Sequence, residues 1–404
     1  MSAELNQGEV TALGVDSKRL ARVTRRVQQD IEQGLYNGAA LMVARHGQIV
    51  LDLCAGFADR DATRSLQPDS IFHLMSVTKA LTAVVALRLI EDGVFRLTTP
   101  IADVIPEFGQ ADKETINVYH LLTQTGGLPI DTPGATTDVI ADLERYAAWT
   151  FDKPASCKPG ERVAYSVLVA HSVLGLFMQR ASGRPFVQLM QELLFDPLAM
   201  RDTAFGPRAD LMPRRCPLAP AAYLSRPEKQ SAAELAATHI ARITGYATHP
   251  GSVAPGGGAF STARDIHRFA EMLRRGGELD GARILSPATL ALVAQNHTGQ
   301  MPNQIFKHLF PDRRWVECPA YLALGFWGRG STPTPGPFGD FNSPSTFGGI
   351  GRGTTLFWVD PVLDMTLVLL TTGLMDEADN FVRYSTLSDL VVSAVVDYSA
   401  YGKC

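Results

Sequence analysis

A serine and a lysine three positions apart, Ser76 and Lys79, are the residues whose types and spacing could do chemistry. At the start of a helix, this spacing places both side chains on the same face. A serine hydroxyl is a weak nucleophile until a base accepts its proton, and lysine is such a base only when burial or nearby charge lowers its pKa. The surrounding side chains are apolar enough to lower it: Met75, Val77, Ala80, Leu81 and Ala83. This geometry is what an activated serine nucleophile with a lysine base would need.

The Ser-x-x-Lys spacing is a weak signal when it is taken alone. Ordinary residue frequencies would give roughly one or two such matches in a chain of this length. An alternative also fits: Ser76 or Thr78 caps the N-terminus of a helix, and Lys79 is a solvated side chain. The spacing leaves both interpretations open, so the elements around the pair have to decide between them.

Strand-like segments lie at both ends of the chain. An amphipathic helix is predicted after Asp16, a typical N-cap residue, and should end near Gly34. One hairpin is predicted over GAALMVARHGQIVLDLCAGFAD, with its turn at residues 45–48, and a second joins GTTLFWV to MTLVLLTTG through residues 360–364. A closing helix is expected over about 378–398.

The middle of the chain, about 76–290, is helical in pattern. Its periodic segments, separated by Gly/Pro turns, are SVTKALTAVVALRLIEDG, INVYHLLTQTGGL, SVLVAHSVLGLFMQRASG and ARDIHRFAEMLRRGG. We therefore predict an α+β fold, an antiparallel β-sheet flanked by helices with an inserted helical subdomain. The sheet subdomain should comprise 1–75 and 291–404 and the helical one 76–290, packed as one functional unit. The Pro/Gly-rich segment 328–346 is expected to be a loop over the site.

Charge and composition argue against several classes of function. The 404 residues are 46% hydrophobic and carry a net charge of −4, which makes nucleic acid an unexpected partner. The polar start does not resemble a secretory signal, and no stretch approaches the ~18 apolar residues of a membrane span, so we expect a soluble, cytoplasmic protein. Wide spacing favours reduced thiols over a disulfide framework or a zinc site for Cys54, Cys157, Cys216, Cys318 and Cys404. We expect a small-molecule substrate and no cofactor or metal, and the oligomeric state stays open.

Several segments, taken in order, closely resemble the class C β-lactamase family in its broad sense, which includes D-alanyl-D-alanine peptidases, family VIII carboxylesterases and related acyltransferases. The segments, within about 40–372, are HLMSVTKALTAVVALRLIEDG, INVYHLLTQTGGLP, Tyr165-Ser166 after KPGERVA, PGGGAFSTARDIHRFAEML, LGFW and FGGIGRGTTLFWVDP. The resemblance implies that Ser76 is the nucleophile, Lys79 the adjacent base and Tyr165 the tyrosine that shares the proton traffic. Lys79 and Tyr165 then titrate as a coupled pair, and which of them holds the proton stays open.

The resemblance also implies an oxyanion hole and exposes two departures from the family's lactamases. The third motif is Phe347-Gly348-Gly349, where lactamases and peptidases begin with lysine, and the backbone N–H groups of Ser76 and Ile350 would hold the oxyanion. Val167 stands where the lactamases have asparagine. Both departures remove polar recognition, so the site should prefer an uncharged, fairly apolar ester to a β-lactam or a peptidoglycan stem.

The other expected substrate contacts are less firmly tied to a motif. Asp131 falls where the family has a site-lining polar residue, and Trp327, Tyr119 and Trp315 are candidates for apolar walls. Arg352 could restore a charge to the rim, although an ordinary surface arginine fits equally well. The predicted substrate-binding set is Phe347, Gly348, Gly349, Asp131 and Trp327.

Competing catalytic classes lack the residues that they need. The sequence contains no Gly-x-Ser-x-Gly elbow of an α/β-hydrolase and no His-x-x-x-His or Cys/His cluster of a metal hydrolase. The prediction is a serine carboxylesterase. An acyltransferase, a β-lactamase or D-amino-acid peptidase, and a non-catalytic penicillin-binding-like protein stay open as alternatives on the same fold. The sequence does not say whether water or another acceptor clears the acyl-enzyme.

Overall fold

Strands from both ends of the chain pair in one sheet. The computed structural model describes residues 7–61, 63–225, 230–307, 310–352 and 354–397. Its strands are β1 Gly38–Arg45, β2 Gln48–Gly56, β3 Phe72–His73, β4 Ala204–Phe205, β5 Ala219–Pro220, β6 Ala259–Ser261, β7 Glu278–Leu279, β8 Ala282–Arg283, β9 Trp327–Gly328, β10 Phe347–Gly351, β11 Thr355–Asp360, β12 Met365–Thr371 and β13 Gly373–Leu374. Six of them form the large sheet, in the order β2-β1-β12-β11-β10-β9, and each neighbouring pair is antiparallel.

Helices occupy most of the middle of the chain and cover both faces of the sheet. They are α1 Gln7–Ala12, α2 Ser17–Glu32, α3 Thr78–Glu91, α4 Val118–Leu122, α5 Thr137–Ala141, α6 Leu143–Ala148, α7 Val169–Ser182, α8 Phe186–Met190, α9 Gln230–Ala247, α10 Ala263–Arg274, α11 Pro287–Val293, α12 Phe310–Arg313 and α13 Glu377–Val392. Helices with an antiparallel sheet make the chain an α+β protein, which confirms the predicted fold class. The division into two subdomains stays a prediction.

The two predicted hairpins are both present. The first turns at His46 and Gly47, whose φ angles of 51° and 76° are both positive, as the two-residue turn that suits the twist of a hairpin requires. The second joins β11 to β12 and turns at Asp364. Nδ1 of His46 lies 2.7 Å from Oδ2 of Asp364, so the two turns meet at the same end of the sheet.

Alternate residues of each strand face two different hydrophobic cores. Leu41 and Val43 of β1 belong to the core that includes α2 and α13. Ala40 and Met42 belong to the core that includes α3, α7 and α10. The predicted helix after Asp16 is α2, and a carboxylate oxygen of Asp16 accepts the first backbone N–H groups of that helix. The sheet is therefore buried on both sides, and α3, which follows Ser76, packs within the larger core.

Two predicted helices differ in length from the structure. The segment INVYHLLTQTGGL forms only the short helix α4, because the backbone at Gln124 adopts a φ of 56° and turns the chain away. The closing helix ends at Val392, whereas the prediction extended it to about residue 398, which lies outside the described residues.

The described cysteines form no disulfide. Cys54, Cys157, Cys216 and Cys318 are free, and Cys404 lies outside the described residues. Among the described helices, none is long and apolar enough to cross a membrane. The cytoplasmic location stays a prediction.

Candidate active site

Ser76 lies in a 3₁₀ turn, Met75–Val77, that leads directly into α3. Met75 has a φ of 52°, in the left-handed region that non-glycine residues seldom adopt. The carbonyl oxygen of Leu74 holds the turn, because it accepts hydrogen bonds from the N–H of Val77 at 3.2 Å and from Oγ1 of Thr355 at 3.0 Å. The strained turn, tied to β11, presents Ser76 at the mouth of the helix.

The Nζ atom of Lys79 has three hydrogen-bond partners. They are Oγ of Ser76 at 2.9 Å and the carbonyl oxygens of Val167 and Gly256, each at 2.7 Å. Carbonyl oxygens only accept, so they engage two N–H bonds of the amine in either protonation state. The third position of the neutral amine is its lone pair, which then faces the hydroxyl of Ser76. Because burial lowers the pKa of Lys79 to about 7, a large fraction of the amine is neutral at physiological pH.

The phenol of Tyr165 lies against the same pair. Burial raises the pKa of Tyr165 to about 12, and a hydrogen bond with Ser76 opposes that rise in part. Nζ of Lys79 is 5.2 Å from the centroid of the tyrosine ring. The two pKa values shift in opposite directions, which favours a partly neutral amine on Lys79 and a neutral phenol on Tyr165 at neutral pH.

The segment that carries Tyr165 is fixed by Gln124, a residue that the sequence reasoning did not single out. Its backbone carbonyl accepts the N–H of Ala164 at 2.8 Å, and its Oε1 accepts both the N–H and the hydroxyl of Ser166 at 3.1 and 3.3 Å. Gln124 belongs to the TQTGG segment that was recognised only as part of the family resemblance. No sequence pattern predicted this role, because the left-handed backbone of Gln124 and its contacts to the Tyr165 segment arise only in the folded chain.

The backbone N–H of Ile350 faces the side of β10 that β9 leaves uncovered. β9 pairs only with Phe347 and Gly348, so beyond that point β10 has no strand on this side. The N–H of Arg329 donates to the carbonyl of Thr346 at 2.9 Å. Since the hydrogen-bonded pairs of an antiparallel ladder alternate, the N–H of Ile350 faces this open side. A Cβ on Gly351 would lie 2.5 Å from the carbonyl oxygen of Leu74, which shows how closely β10 approaches the turn.

The two glycines of the third motif are required by the sheet as well as by the site. A Cβ on Gly348 would lie 2.1 Å from the backbone oxygen of Phe357, and one on Gly349 would lie 2.7 Å from the Phe357 ring. The closest neighbours of a Cβ at either position are on β11, while β9 covers the other side of β10 only at Phe347 and Gly348.

A cavity of about 580 Å³ opens over Ser76. Its apolar lining includes Leu128, Pro129, Ile130, Val163, Val167, Ile305, Phe306, Trp327, Ile350, Met375 and Phe381. The predicted wall residue Trp327 stacks on Phe306 with ring centroids 5.4 Å apart, and it lies 6.0 Å from the Tyr165 ring. Volume and lining suit a small organic ligand with a largely apolar body.

Other predicted contacts lie outside this cavity. The ring of Phe347 is 3% exposed and packs edge-on against Phe326 in the core, so it does not line the cavity. Asp131 follows the lining residue Ile130, but its carboxylate projects to the surface and pairs with Arg242 at 3.2 Å. The expectation that these two side chains contact substrate is therefore not supported by their positions.

Arg352 lies on the cavity rim, as one of the two sequence interpretations predicted. Its guanidinium is 3.7 Å from a carboxylate oxygen of Glu377, which also lines the cavity, and 3.1 Å from Nδ1 of His239. The cationic charge at this rim is thus balanced in part by a neighbouring anion.

The Pro/Gly-rich loop and two aromatic candidates lie elsewhere. No residue of 329–346, all of which are described, lines the cavity over Ser76. The loop instead packs on β11 and α13: Ser343 and Thr346 donate to the carboxylate of Asp360, and the N–H of Phe341 donates to Asp389. Tyr119 donates its hydroxyl to the carbonyl of His297, and Trp315 packs on Phe310. The predictions that this loop covers the site and that these rings form its walls were wrong.

Comparison with known proteins identifies the relatives of this arrangement. Residues 23–388 match the model of the β-lactamase family. Esterase EstB from Burkholderia gladioli is 30% identical over 292 residues, which cover 65% of this chain and 72% of EstB. The esterase/β-lactamase LipL from Mycobacterium tuberculosis (strain ATCC 25618 / H37Rv) is 26% identical over 382 residues, 90% of this chain and 83% of LipL.

A solved structure shares the fold over nearly the whole chain. EstCE1, described as a hydrolase with promiscuous acyltransferase activity, superposes with a TM-score of 0.70 at 24% identity, covering 93% of this chain and 99% of its own. At that identity the likeness establishes the fold.

Proposed function

The chain belongs to the β-lactamase family of serine hydrolases, and on that premise we propose that it is a carboxylesterase that forms an acyl-enzyme on Ser76. The observation that carries the proposal is the 2.9 Å contact between Nζ of Lys79 and Oγ of Ser76. Two backbone carbonyls fix the amine so that its lone pair, when neutral, can accept only from that hydroxyl. A solvated lysine or a simple helix cap would need none of these contacts.

In the acylation step, Ser76 attacks the carbonyl carbon of the ester while Lys79 accepts the hydroxyl proton. The backbone N–H groups of Ser76 and Ile350 stabilise the negative charge that develops on the carbonyl oxygen. The neutral phenol of Tyr165 then donates a proton to the departing alcohol, and it recovers one from the Lys79 ammonium. This leaves an acyl group on Ser76 and a neutral amine ready for a second nucleophile.

We propose that the substrate has an uncharged, fairly apolar acyl group. The cavity lining supports this, since most of its side chains are apolar and one of its two arginines, Arg352, lies beside Glu377. The sequence departures support it as well. Phe347 puts no cation at the position where lactamases have lysine, and Val167 offers its apolar side chain, 42% exposed, at the cavity wall.

The test is an assay with short-chain p-nitrophenyl esters and a chromogenic cephalosporin, with intact-mass detection of covalent adducts. The parent protein should turn over the esters, cleave little cephalosporin and carry one acyl group on Ser76. Ser76→Ala should lower ester turnover by at least about 10³-fold. A matched control is Ser17→Ala, because Ser17 begins α2 and lies away from the cavity. Failure to acylate Ser76 with any ester would overturn the proposal.

An acyltransferase is the second candidate, because a cavity of about 580 Å³ has room for an alcohol acceptor beside the acyl group. Added methanol distinguishes the two, since a transferase yields mainly the methyl ester, whereas a hydrolase yields mainly the acid. Rapid cephalosporin cleavage would favour the lactamase alternative, which the name of LipL also raises for that relative.

A further inference from the structure

A second, much smaller cavity lies behind Ser76. Its volume is about 20 Å³, enough for a single water molecule. Ser76, Tyr165 and Trp327 line both this cavity and the large one, so they form the partition between the two. The other polar side chains that line the small cavity are Lys79, Gln124 and His171. His171 and Gln124 have no role in the acylation step described above.

Hydrogen bonds determine which nitrogen of His171 carries the proton. The backbone N–H of Ser166 can only donate, so the Gln124 atom that it contacts is the acceptor Oε1 and the other is the donor Nε2. Nε2 of Gln124 lies 3.4 Å from Nδ1 of His171, which must accept. Burial, reinforced by the charge of Lys79, holds the pKa of His171 well below its ordinary value, so the ring is neutral. Its proton is therefore on Nε2.

That N–H is a buried donor in need of an acceptor. His171 is 1% exposed, and its Nε2 has no hydrogen-bond partner within the described residues. A buried donor without a partner is costly, on the order of 1–3 kcal/mol, and a water held in an adjoining polar cavity is the usual remedy. The small cavity offers that acceptor a place next to the nucleophile.

We propose that this cavity binds one water molecule, held by the N–H of His171, and that this water hydrolyses the acyl group on Ser76. The inference rests on the proposed esterase function and names its acceptor. In this proposal an acyl group on Ser76 extends into the large cavity, and the water lies in the small cavity on the other side of Oγ of Ser76. Because the small cavity has room for one water and not for an alcohol, it favours hydrolysis over acyl transfer.

Deacylation requires only the water, the amine of Lys79 and Oγ of Ser76. The water oxygen forms a bond to the acyl carbon, and the water gives one proton to the neutral amine of Lys79. The tetrahedral intermediate collapses with cleavage of the bond between the acyl carbon and Oγ of Ser76. Lys79 returns the proton to Oγ, and the carboxylic acid leaves through the large cavity. His171 acts as a positioning residue, which holds the water and exchanges no proton.

The test separates deacylation from acylation with p-nitrophenyl butyrate, with and without methanol. His171→Leu should keep a full burst of p-nitrophenol and accumulate acyl-enzyme, while hydrolysis slows by about tenfold to a hundredfold. Methanol reaches the acyl group from the large cavity, so formation of methyl butyrate should be retained. His171→Gln, which restores an N–H donor, should recover part of the hydrolysis.

A second route to the same result avoids reliance on one variant. Ala80 also lines the small cavity, and Ala80→Val adds two methyl groups there without replacing His171, so the same shift from hydrolysis to methanolysis is expected. The matched control is His267→Leu, because His267 is also a buried histidine with a nitrogen unpartnered in the described part of the chain, but it lines neither cavity.

Two outcomes would overturn the inference while leaving the esterase proposal intact. One is that hydrolysis and methanolysis fall together in His171→Leu and Ala80→Val. The other is that both variants deacylate at the parent rate. Absence of any burst or Ser76 adduct in the parent protein would instead refute the esterase proposal itself.

Discussion

The carbonyl oxygen of Val167 lies 2.7 Å from Nζ of Lys79, so the residue two positions after Tyr165 holds the lysine amine through its backbone. The same residue replaces the asparagine that the family's lactamases carry. Its side chain can change without loss of the contact to Lys79, because a carbonyl acceptor is independent of residue type. Loss of the asparagine amide therefore removes a polar side chain and leaves the hydrogen bond from Lys79 to this backbone carbonyl in place.

Burial of Lys79 should make the stability of the protein depend on alkaline pH. The pKa of Lys79 falls from its ordinary 10.5 to about 7 on folding, so between those values the unfolded chain binds more protons than the folded one. Unfolding free energy should rise with pH across this window, by on the order of a few kcal/mol. Urea unfolding at pH 7, 8, 9 and 10, followed by circular dichroism, measures this rise.

Lys79→Met is the matched variant for that measurement. It removes the titrating group and keeps a side chain of similar length, so the pH-dependent contribution of Lys79 should disappear. The difference between the parent and variant curves is the quantity of interest, because other groups titrate equally in both. If the unfolding free energies of the parent and Lys79→Met change in parallel from pH 7 to 10, the lowered pKa of Lys79 is contradicted.

Ester hydrolysis should rise with pH to a plateau above neutrality. With Lys79 as the base, kcat/KM for p-nitrophenyl butyrate should increase about tenfold per pH unit below an apparent pKa of about 7. The pKa of Tyr165, about 12, keeps the phenol neutral, so no descending limb is expected below pH 9. The residual kcat/KM of Tyr165→Phe should still rise with pH below about 7. Disappearance of the limb in that variant would assign the base to Tyr165 instead.

The sequence predicted the residues that lie close together along the chain better than those brought together by folding. Ser76 and Lys79 are separated by one helical turn, and the His46-Gly47 turn is marked by local pattern. Gly256, whose carbonyl contacts Lys79 from 177 positions away, has no local signature, because only its backbone takes part.

The same limit explains why Phe347 was placed in the site and why His171 was not singled out. Phe347 shares a motif with Gly348, but strand alternation points its ring into the core beside Phe326, and the sequence does not fix which face of β10 meets the site. His171 sits on the largely apolar helix α7, where it reads as an ordinary core residue. Its contact with Gln124, 47 positions away, gives it a defined tautomer, and that contact depends on the fold.

Alanine substitution at the two motif glycines should destabilise the protein unequally. A Cβ on Gly348 would meet the backbone oxygen of Phe357 at 2.1 Å, which cannot move without disturbing β11. A Cβ on Gly349 would meet the Phe357 ring at 2.7 Å, and a side-chain ring can shift by a few tenths of an ångström more easily than the backbone of β11. We expect Gly348→Ala to cost about 1–3 kcal/mol or more and Gly349→Ala to cost less. Urea midpoints of the two variants check this order, and equal or reversed costs would contradict it.

Loss of the Tyr165 hydroxyl should harm esters of poor leaving groups far more than activated esters. Phenylalanine keeps the ring that packs beside Trp327 and removes the proton donor for the departing alcohol. An aliphatic alkoxide needs that proton, whereas p-nitrophenolate leaves readily without it. Tyr165→Phe should therefore lower kcat/KM for ethyl butyrate by about 10²–10⁴-fold, and for p-nitrophenyl butyrate by much less. Tyr119→Phe is the matched control, since its hydroxyl bonds to His297 outside the cavity, and it should leave the ratio of the two rates unchanged. An equal loss on both esters in Tyr165→Phe would show that the phenol acts before the leaving group departs, in the activation of Ser76.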